Sequence, residues 1–271
     1  RVQQGLAVVG IPVPKILAVC ADESLLGVPF YVMDYLEGEI MLDSAPEALD
    51  TRDQRRATSE ALVDTLAALH GVDLERARLA DFGRPQGYLE RQIATFSGLA
   101  GQVSQRDLPL VSELGAWLEA HRPETRRAAL VHGDYRLGNV MFGHEAPAKV
   151  TAVLDWEMAA LGDPLADLGY LTATYCDADS PGSVMEISGV TREPGYLTRA
   201  EIAERYAART GLDVSRLPWY QALALWKSSV FLEAIYTRWR RGERPGDEFA
   251  PVLEHEIPRL LEVARDYSRE A

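Results

Sequence analysis

The stretch 130–142, LVHGDYRLGNVMF, constrains the fold more than any other part of the chain. Residues 128–131 and 140–142 are apolar runs too short for helices, and between them stand His132, Asp134, Arg136 and Asn139. Two short strands must close on a tight polar loop. A loop of that kind is either a well-capped turn or a place where chemistry happens. A third apolar run, 150–154, leads into Asp155-Trp156-Glu157, so a further carboxylate stands at a strand end.

Elsewhere the period is mostly helical. Residues 13–19 and 29–36 read as a hairpin turning at Ala21-Asp22-Glu23-Ser24, with the polar link Glu37-Gly38-Glu39 after it. Within 51–70, Ala57, Ala61, Leu62, Leu66 and Leu69 recur at helical spacing, and Gly71 stands at the C-terminal cap position. A second helix is predicted over 108–121 on Leu110, Val111, Leu114, Trp117 and Leu118; no single period dominates between the two. Asp163-Pro164 starts a helix with Leu165, Leu168 and Leu171 on one face. Residues 177–195, rich in Asp, Ser, Gly and Pro, read as a long surface loop. Thr198-Arg199-Ala200-Glu201 is a capping box for a helix ending near Gly211, and two more helices follow at 219–241 and 248–271.

Composition narrows the partners. With 47% hydrophobic and 25% charged residues, the chain can bury a large core as one domain or two unequal lobes. A net charge of −13 argues against nucleic acid or an anionic membrane as the main partner, since both demand a basic face. Cys20 and Cys176, the two cysteines, lie far apart and support neither a disulfide framework nor a cysteine metal site, so a reducing cytoplasm is the expected compartment. No apolar run is long enough to span a membrane, and the first residues do not read as a signal peptide.

Asp134, Asn139 and Asp155 form the constellation with chemical content. Carboxylate and amide oxygens are what Mg²⁺ prefers, and a second carboxylate nearby can take a proton from an attacking hydroxyl. Base plus metal ligands is the equipment of phosphoryl transfer. The interval from Asp134 to Asn139 is that of the HRDxxxxN loop of protein kinases, with Gly133 in place of the arginine.

HGDYRLGN, then LDWE, then GDPLADLG resemble the aminoglycoside phosphotransferase and choline kinase-like family, whose fold is protein-kinase-like. IPVPKILAVC, GVPFYVMDYLEGE and GVTREPGYLTRAEIAERYAARTG are similar to one branch of it, the phosphotransferase-like domain found alone in bacteria and fused to acyl-CoA dehydrogenases in animals. The resemblance implies an α+β fold. Residues 1–37 would be a small partial N-terminal β lobe ending in the hinge, and 38–271 a mainly helical lobe for catalysis and substrate binding. It implies an ATP- or GTP-dependent kinase acting on a small-molecule hydroxyl, with Asp134 as catalytic base and Asn139 and Asp155 as Mg²⁺ ligands. Arg136 would neutralise charge on the transferred phosphoryl group, unless it is a loop arginine paired with an acid. The Asp34 carbonyl and the Leu36 N–H would hold the purine. His132 would brace the loop, Asp167 would accept hydrogen bonds from its backbone, and Glu157 is a candidate for the metal or its waters.

The chain also departs from the pattern. Its lysines are Lys15, Lys149 and Lys227, and none stands where the nucleotide-binding lysine should. Arg1-Val2-Gln3-Gln4-Gly5-Leu6 resembles the tail of the helix that carries that lysine's glutamate, so the chain is expected to begin partway through the N-terminal lobe and to be a poor catalyst by itself. Residues 13–36 should then expose an apolar edge. The competing reading is a truncated pseudokinase-like binding or interaction domain; a metal-dependent phosphohydrolase lacks the dense His/Asp clusters it would need. For the acceptor, the candidates are Asp163, Tyr170, Tyr175, Trp219, Trp226, Lys227, Glu233 and Tyr236, although aromatic residues at helical spacing equally describe a core. An aminoglycoside would call for an acidic wall such as Asp177-Ala178-Asp179, and an anionic acceptor for Arg238, Arg240 and Arg241.

Overall fold

The computed structural model describes residues 1–178, 180 and 182–271. Helix α1 (Val2–Val8) buries Val2 and Leu6. The predicted hairpin follows as β1 (Ile16–Cys20) and β2 (Phe30–Met33), antiparallel, with Val19 opposite Tyr31. These two strands form a sheet of their own, and Leu17, Val19, Tyr31 and Val32 are exposed, so the apolar edge expected here is present. Strand β3 (Glu39–Ile40) departs from the hairpin.

Helix α2 (Arg52–His70) starts where the Thr51 hydroxyl accepts the Gln54 N–H, and it buries Leu62, Val63, Leu66 and Leu69. Helix α3 (Tyr88–Val103) occupies the stretch without a dominant period; Ser97, Gly98 and Gly101 interrupt its apolar stripe, and Tyr88, Leu89 and Ile93 are its buried residues. Helix α4 (Pro109–Ala120) opens with proline in its first turn. The strands around the polar loop are β4 (Ala129–Val131), β5 (Val140–Phe142) and β6 (Val150–Val153), joined by β7 (Ala160–Gly162), three residues that no pattern announces. Strand β4 pairs antiparallel with β7, and β5 lies between β3 and β6. The loop 132–139 therefore leaves one small sheet and enters another, which fixes both of its ends.

Helix α5 (Leu165–Thr174) buries Leu168 and Leu171. Helix α6 (Arg199–Thr210) has the predicted capping box: Thr198 Oγ1 accepts the Glu201 N–H at 3.2 Å, and Glu201 accepts the Thr198 N–H at 2.8 Å. Helix α7 (Leu217–Arg240) is buried nearly all round, as a central helix must be, and α8 (Leu253–Glu270) packs along it with Ile257, Leu260 and Leu261. Among the described residues no helix is long and apolar enough to cross a membrane.

The segment read as a surface loop between α5 and α6 is more ordered than its composition implied. Val190 and Thr191 are buried, and the Val190 N–H bonds the Leu42 carbonyl at 2.9 Å. The Glu186 side chain is held by Arg192 at 2.6 Å, Arg199 at 3.0 Å and the Ser180 hydroxyl at 2.8 Å. Tertiary ion pairs, invisible to a local reading, anchor it.

Candidate active site

The polar loop is fixed from beneath by Asp167, on the first turn of α5. Its carboxylate accepts the backbone N–H of His132 at 2.6 Å and of Gly133 at 2.8 Å. The same carboxylate takes the His70 Nε2–H at 3.1 Å, and the Tyr206 hydroxyl closes the chain on His70 Nδ1 at 2.6 Å. Burial by itself would raise the Asp167 carboxyl, but the bonds from His70 and the nearby His132 hold it below its ordinary value. His132 is a brace, as expected: its Nδ1 accepts the Asp134 N–H at 3.2 Å and its Nε2 donates to the Leu154 carbonyl at 2.8 Å. It thereby ties the loop to the end of β6. Gly133 takes φ +87°, and a Cβ there would strike the Met158 carbonyl oxygen.

Asp134 and Asn139 meet. The Asn139 amide donates both to the Asp134 carboxylate at 2.7 Å and to the Asp134 carbonyl at 2.8 Å, which leaves its own oxygen as an acceptor. The Leu154 N–H bonds the Asn139 carbonyl at 2.9 Å, so Asp155 follows directly on the residue that ties β6 to the loop. Asp155 is exposed, has no ion-pair or hydrogen-bond partner among the described residues, and holds φ +63°. A non-glycine residue in the left-handed region is strained, and such strain concentrates at working sites. An amide oxygen and an unpaired carboxylate are hard donors that suit Mg²⁺. Arg136 Nε lies 3.5 Å from Asp134 Oδ1, and a Cβ at Gly138 would collide with the Arg136 guanidinium. Of the two readings of Arg136, the geometry displays the pairing with an acid, and that acid is Asp134.

Asp34 and Leu36, the residues expected at a hinge, are not among the residues lining the cavity on Asp134. Asp34 N–H bonds the Lys15 carbonyl at 2.9 Å, extending the hairpin, while the Asp34 carbonyl and the Leu36 N–H have no partner among the described residues.

A cavity of about 310 Å³ opens on Asp134 and Arg136. Glu157 and Met158 from one side, Tyr170 from α5, Val184 and Met185 from the anchored loop, and Leu223, Lys227 and Phe231 from α7 line it. Of the predicted acceptor residues, the fold brings Tyr170 and Lys227 here. Tyr170 has its phenol pushed well up, first by burial and then by the Asp134 charge. The others serve the core. Trp219 and Trp226 are buried and donate to the Leu118 and Val111 carbonyls. Tyr175 bonds Ser59, Glu233 pairs with Arg106, Tyr236 lies under that arginine, and Asp163 accepts from Thr125 and Tyr220. Of the acidic wall, Asp177 accepts the Arg199 N–H at the start of α6 and is not among the cavity's lining residues, and Asp179 lies outside the described residues. Arg238, Arg240 and Arg241 are not in the cavity lining either; Arg238 and Arg241 pair with Glu243, and Arg240 reaches the Tyr236 hydroxyl. Sequence reading missed His70, Tyr206 and Tyr220, whose partners are remote in the chain.

Comparison with known proteins gives this arrangement a class. A model of the phosphotransferase enzyme family matches residues 1–223, and the chain belongs to that family. Its fold is the kinase-like one: a provisionally assigned aminoglycoside phosphotransferase from Ralstonia eutropha superposes with a TM-score of 0.87 at 30% identity, over 100% of this chain and 82% of that one. The aminoglycoside phosphotransferase APH(3'')-Id from Streptomyces rimosus, solved with ADP and streptomycin, shares the fold at a TM-score of 0.53 and 21% identity, over 82% of this chain and 78% of that one. Within the family, the chain is similar to acyl-CoA dehydrogenase family member 11 of Gallus gallus, 33% identical over 280 residues, which cover 99% of this chain and 35% of the relative. The chain thus spans about a third of the length of that relative.

Proposed function

We propose that the chain transfers the γ-phosphoryl group of ATP, or alternatively GTP, to a hydroxyl of a small molecule. The observation that carries this reading is the Asn139 amide. By donating to the Asp134 carboxylate it fixes one carboxylate of the cavity lining and leaves its own amide oxygen as an acceptor, while the Asn139 backbone carbonyl takes the N–H of Leu154, the residue before Asp155.

In this reading residues 1–37 belong to the nucleotide lobe and 38–271 to the catalytic lobe, with the Asp34 carbonyl and the Leu36 N–H as the purine's acceptor and donor. ADP in the Streptomyces neighbour is the precedent for a nucleotide. Asn139 and Asp155 would hold Mg²⁺, which when bound supplies charge neutralisation on the phosphates. Asp134 takes the proton of the acceptor hydroxyl as its oxygen bonds to phosphorus and the bond to the nucleoside diphosphate breaks. Arg136, beside that carboxylate, balances the charge on the group in transit. Tyr170 walls the cavity next to the base.

In the full-length protein, Asp134→Asn should lower ATP-dependent phosphorylation across a panel of small alcohols by at least about 100-fold, while calorimetry finds Mg²⁺·ATP affinity within threefold of wild type. Full turnover by the variant would refute Asp134 as the base. Absence of Mg²⁺·ATP binding by the wild-type protein would favour the pseudokinase reading.

A further inference from the structure

The cavity in front of Asp134 is apolar over most of its wall, and part of that wall is uncovered. Met158, Ile187, Phe231 and Phe249, all between 46% and 58% exposed, are among its lining residues. Large side chains left open to water around one mouth mark a place where an apolar body is received. Against this wall stands a single ammonium group. Lys227 sits on α7, half-buried, with Nζ 4.9 Å from the centre of the Phe96 ring and hydrogen-bonded to the Gln92 side chain.

That environment leaves the lysine incompletely satisfied. An ammonium has three donors, and among the described residues one is met by Gln92 and one face by Phe96. Burial pushes its pKa down to about 8, against the attraction of Asp167 and Asp134. A lysine of no consequence would extend to water, as long charged side chains do. Here an incoming oxygen would supply the missing partner, and an incoming amine would meet a like charge.

Resting on the phosphotransferase reading above, we infer that Lys227 binds an acyl oxygen of the acceptor, a carboxylate or the carbonyl of its derivative, while an aliphatic segment covers the apolar wall and the hydroxyl faces Asp134. The acceptor is then a hydroxylated aliphatic acid or acyl derivative. An acceptor that presented an amine to this part of the wall would meet Lys227 as a like charge, with methylenes and aromatic rings around it; Asp134 and Glu157, carboxylates of the lining, stand on the side where the hydroxyl is placed.

Four probes of one chain length separate the alternatives: 8-hydroxyoctanoate, its methyl ester, 1,8-octanediol and 8-amino-1-octanol. Binding is read by calorimetry on the full-length protein without nucleotide, so the outcome does not depend on turnover and is separable from failure of the Asp134 assignment. The acid, the ester or both should bind at least tenfold tighter than the diol, and the amino alcohol weakest. The acid surpassing the ester identifies a carboxylate as the oxygen source; equal binding identifies a carbonyl. Lys227→Met should erase the tenfold preference and leave diol affinity within threefold, in a protein whose melting temperature confirms that it folds. The inference is overturned if the wild-type protein binds the diol as tightly as the acid and the ester, if it binds none of the four, or if Lys227→Met weakens all probes alike. The wild-type series decides the matter even if the variant does not fold.

Discussion

Asp167 shows how one side chain can set the shape of a polar loop from beneath it. Its carboxylate takes two consecutive backbone N–H groups of the loop and a buried histidine, and few other residues could satisfy all three donors at once. Asp167→Asn keeps the shape but replaces acceptor capacity with an amide that must point its own N–H groups at donors. It should cost about 3 kcal/mol in urea unfolding at neutral pH, and lower kcat more than it raises the acceptor KM. The pH dependence has a definite sign. Because the folded-state pKa is lowered from 3.8, the stabilisation is complete above about pH 5 and is lost as pH falls through 3.8 toward the lower native value. The gap between wild type and variant should therefore close in acid; a gap of constant size from pH 7 to pH 3 would show that the charge is not what matters. Of this arrangement, Asp134, Asn139 and Asp155 stood out in the sequence by residue type and spacing, and Asp167 through the resemblance of GDPLADLG to the family's motif. His70 did not: its partner Asp167 is 97 positions away, and nothing around His70 distinguishes it from a helix-ending histidine. Lys227 was legible as a candidate, whereas Arg238, Arg240 and Arg241 lie about three turns or more farther along the chain and are absent from the cavity lining.

Among the elements, α6 and α3 mark the two extremes of legibility. Helix α6 announces itself through the Thr198–Glu201 box and Gly211, a start and a stop written in side-chain chemistry. Helix α3 starts from Gly87 with no side-chain cap and carries two glycines in its second half, so its existence depends on packing Tyr88, Leu89 and Ile93 into the core. Strand β7 is too short for any period; pairing with β4 creates it. The capping box permits a test of how far a local signal reaches. Helix α6 contributes Tyr206 to the histidine that supports Asp167, and Arg205 and Arg209 to Asp64 on α2, all beyond its first turn. Thr198→Ala should then cost about 1 kcal/mol, a fall of about 2–4 °C in melting temperature, with kcat unchanged within twofold. A larger kinetic than thermal effect would mean that the cap transmits to the loop, which this geometry does not provide for.

At the scale of the whole molecule, stability is unevenly distributed. The helical body is one continuous core centred on α7, and the β4–β7 and β3–β5–β6 sheets are locked into it by Val131, Val140, Phe142 and Val153, none of them more than 0% exposed. The β1–β2 hairpin is different, since its strands pair with each other and most of their side chains face water. A two-stranded ribbon with so little burial is marginal alone, and opening it sacrifices almost no core. Hydrogen exchange should accordingly fall in two tiers. Amides of β1 and β2 should exchange at least about 100-fold faster than those of β4 and β5, a gap of about 3 kcal/mol in opening free energy. Asp167→Asn separates the tiers further: it should accelerate exchange in β4 and β5, which open only with the core, and leave the hairpin's rates unchanged, because those amides already exchange by a local route. Equal protection of hairpin and core in the isolated chain, or a hairpin that speeds up with the variant, would show that the ribbon is coupled to the body through contacts the fold does not display. In the proposed reading such coupling would matter for function, since Asp34 and Leu36 stand at the base of this ribbon, and its freedom would then set how firmly a purine is held there.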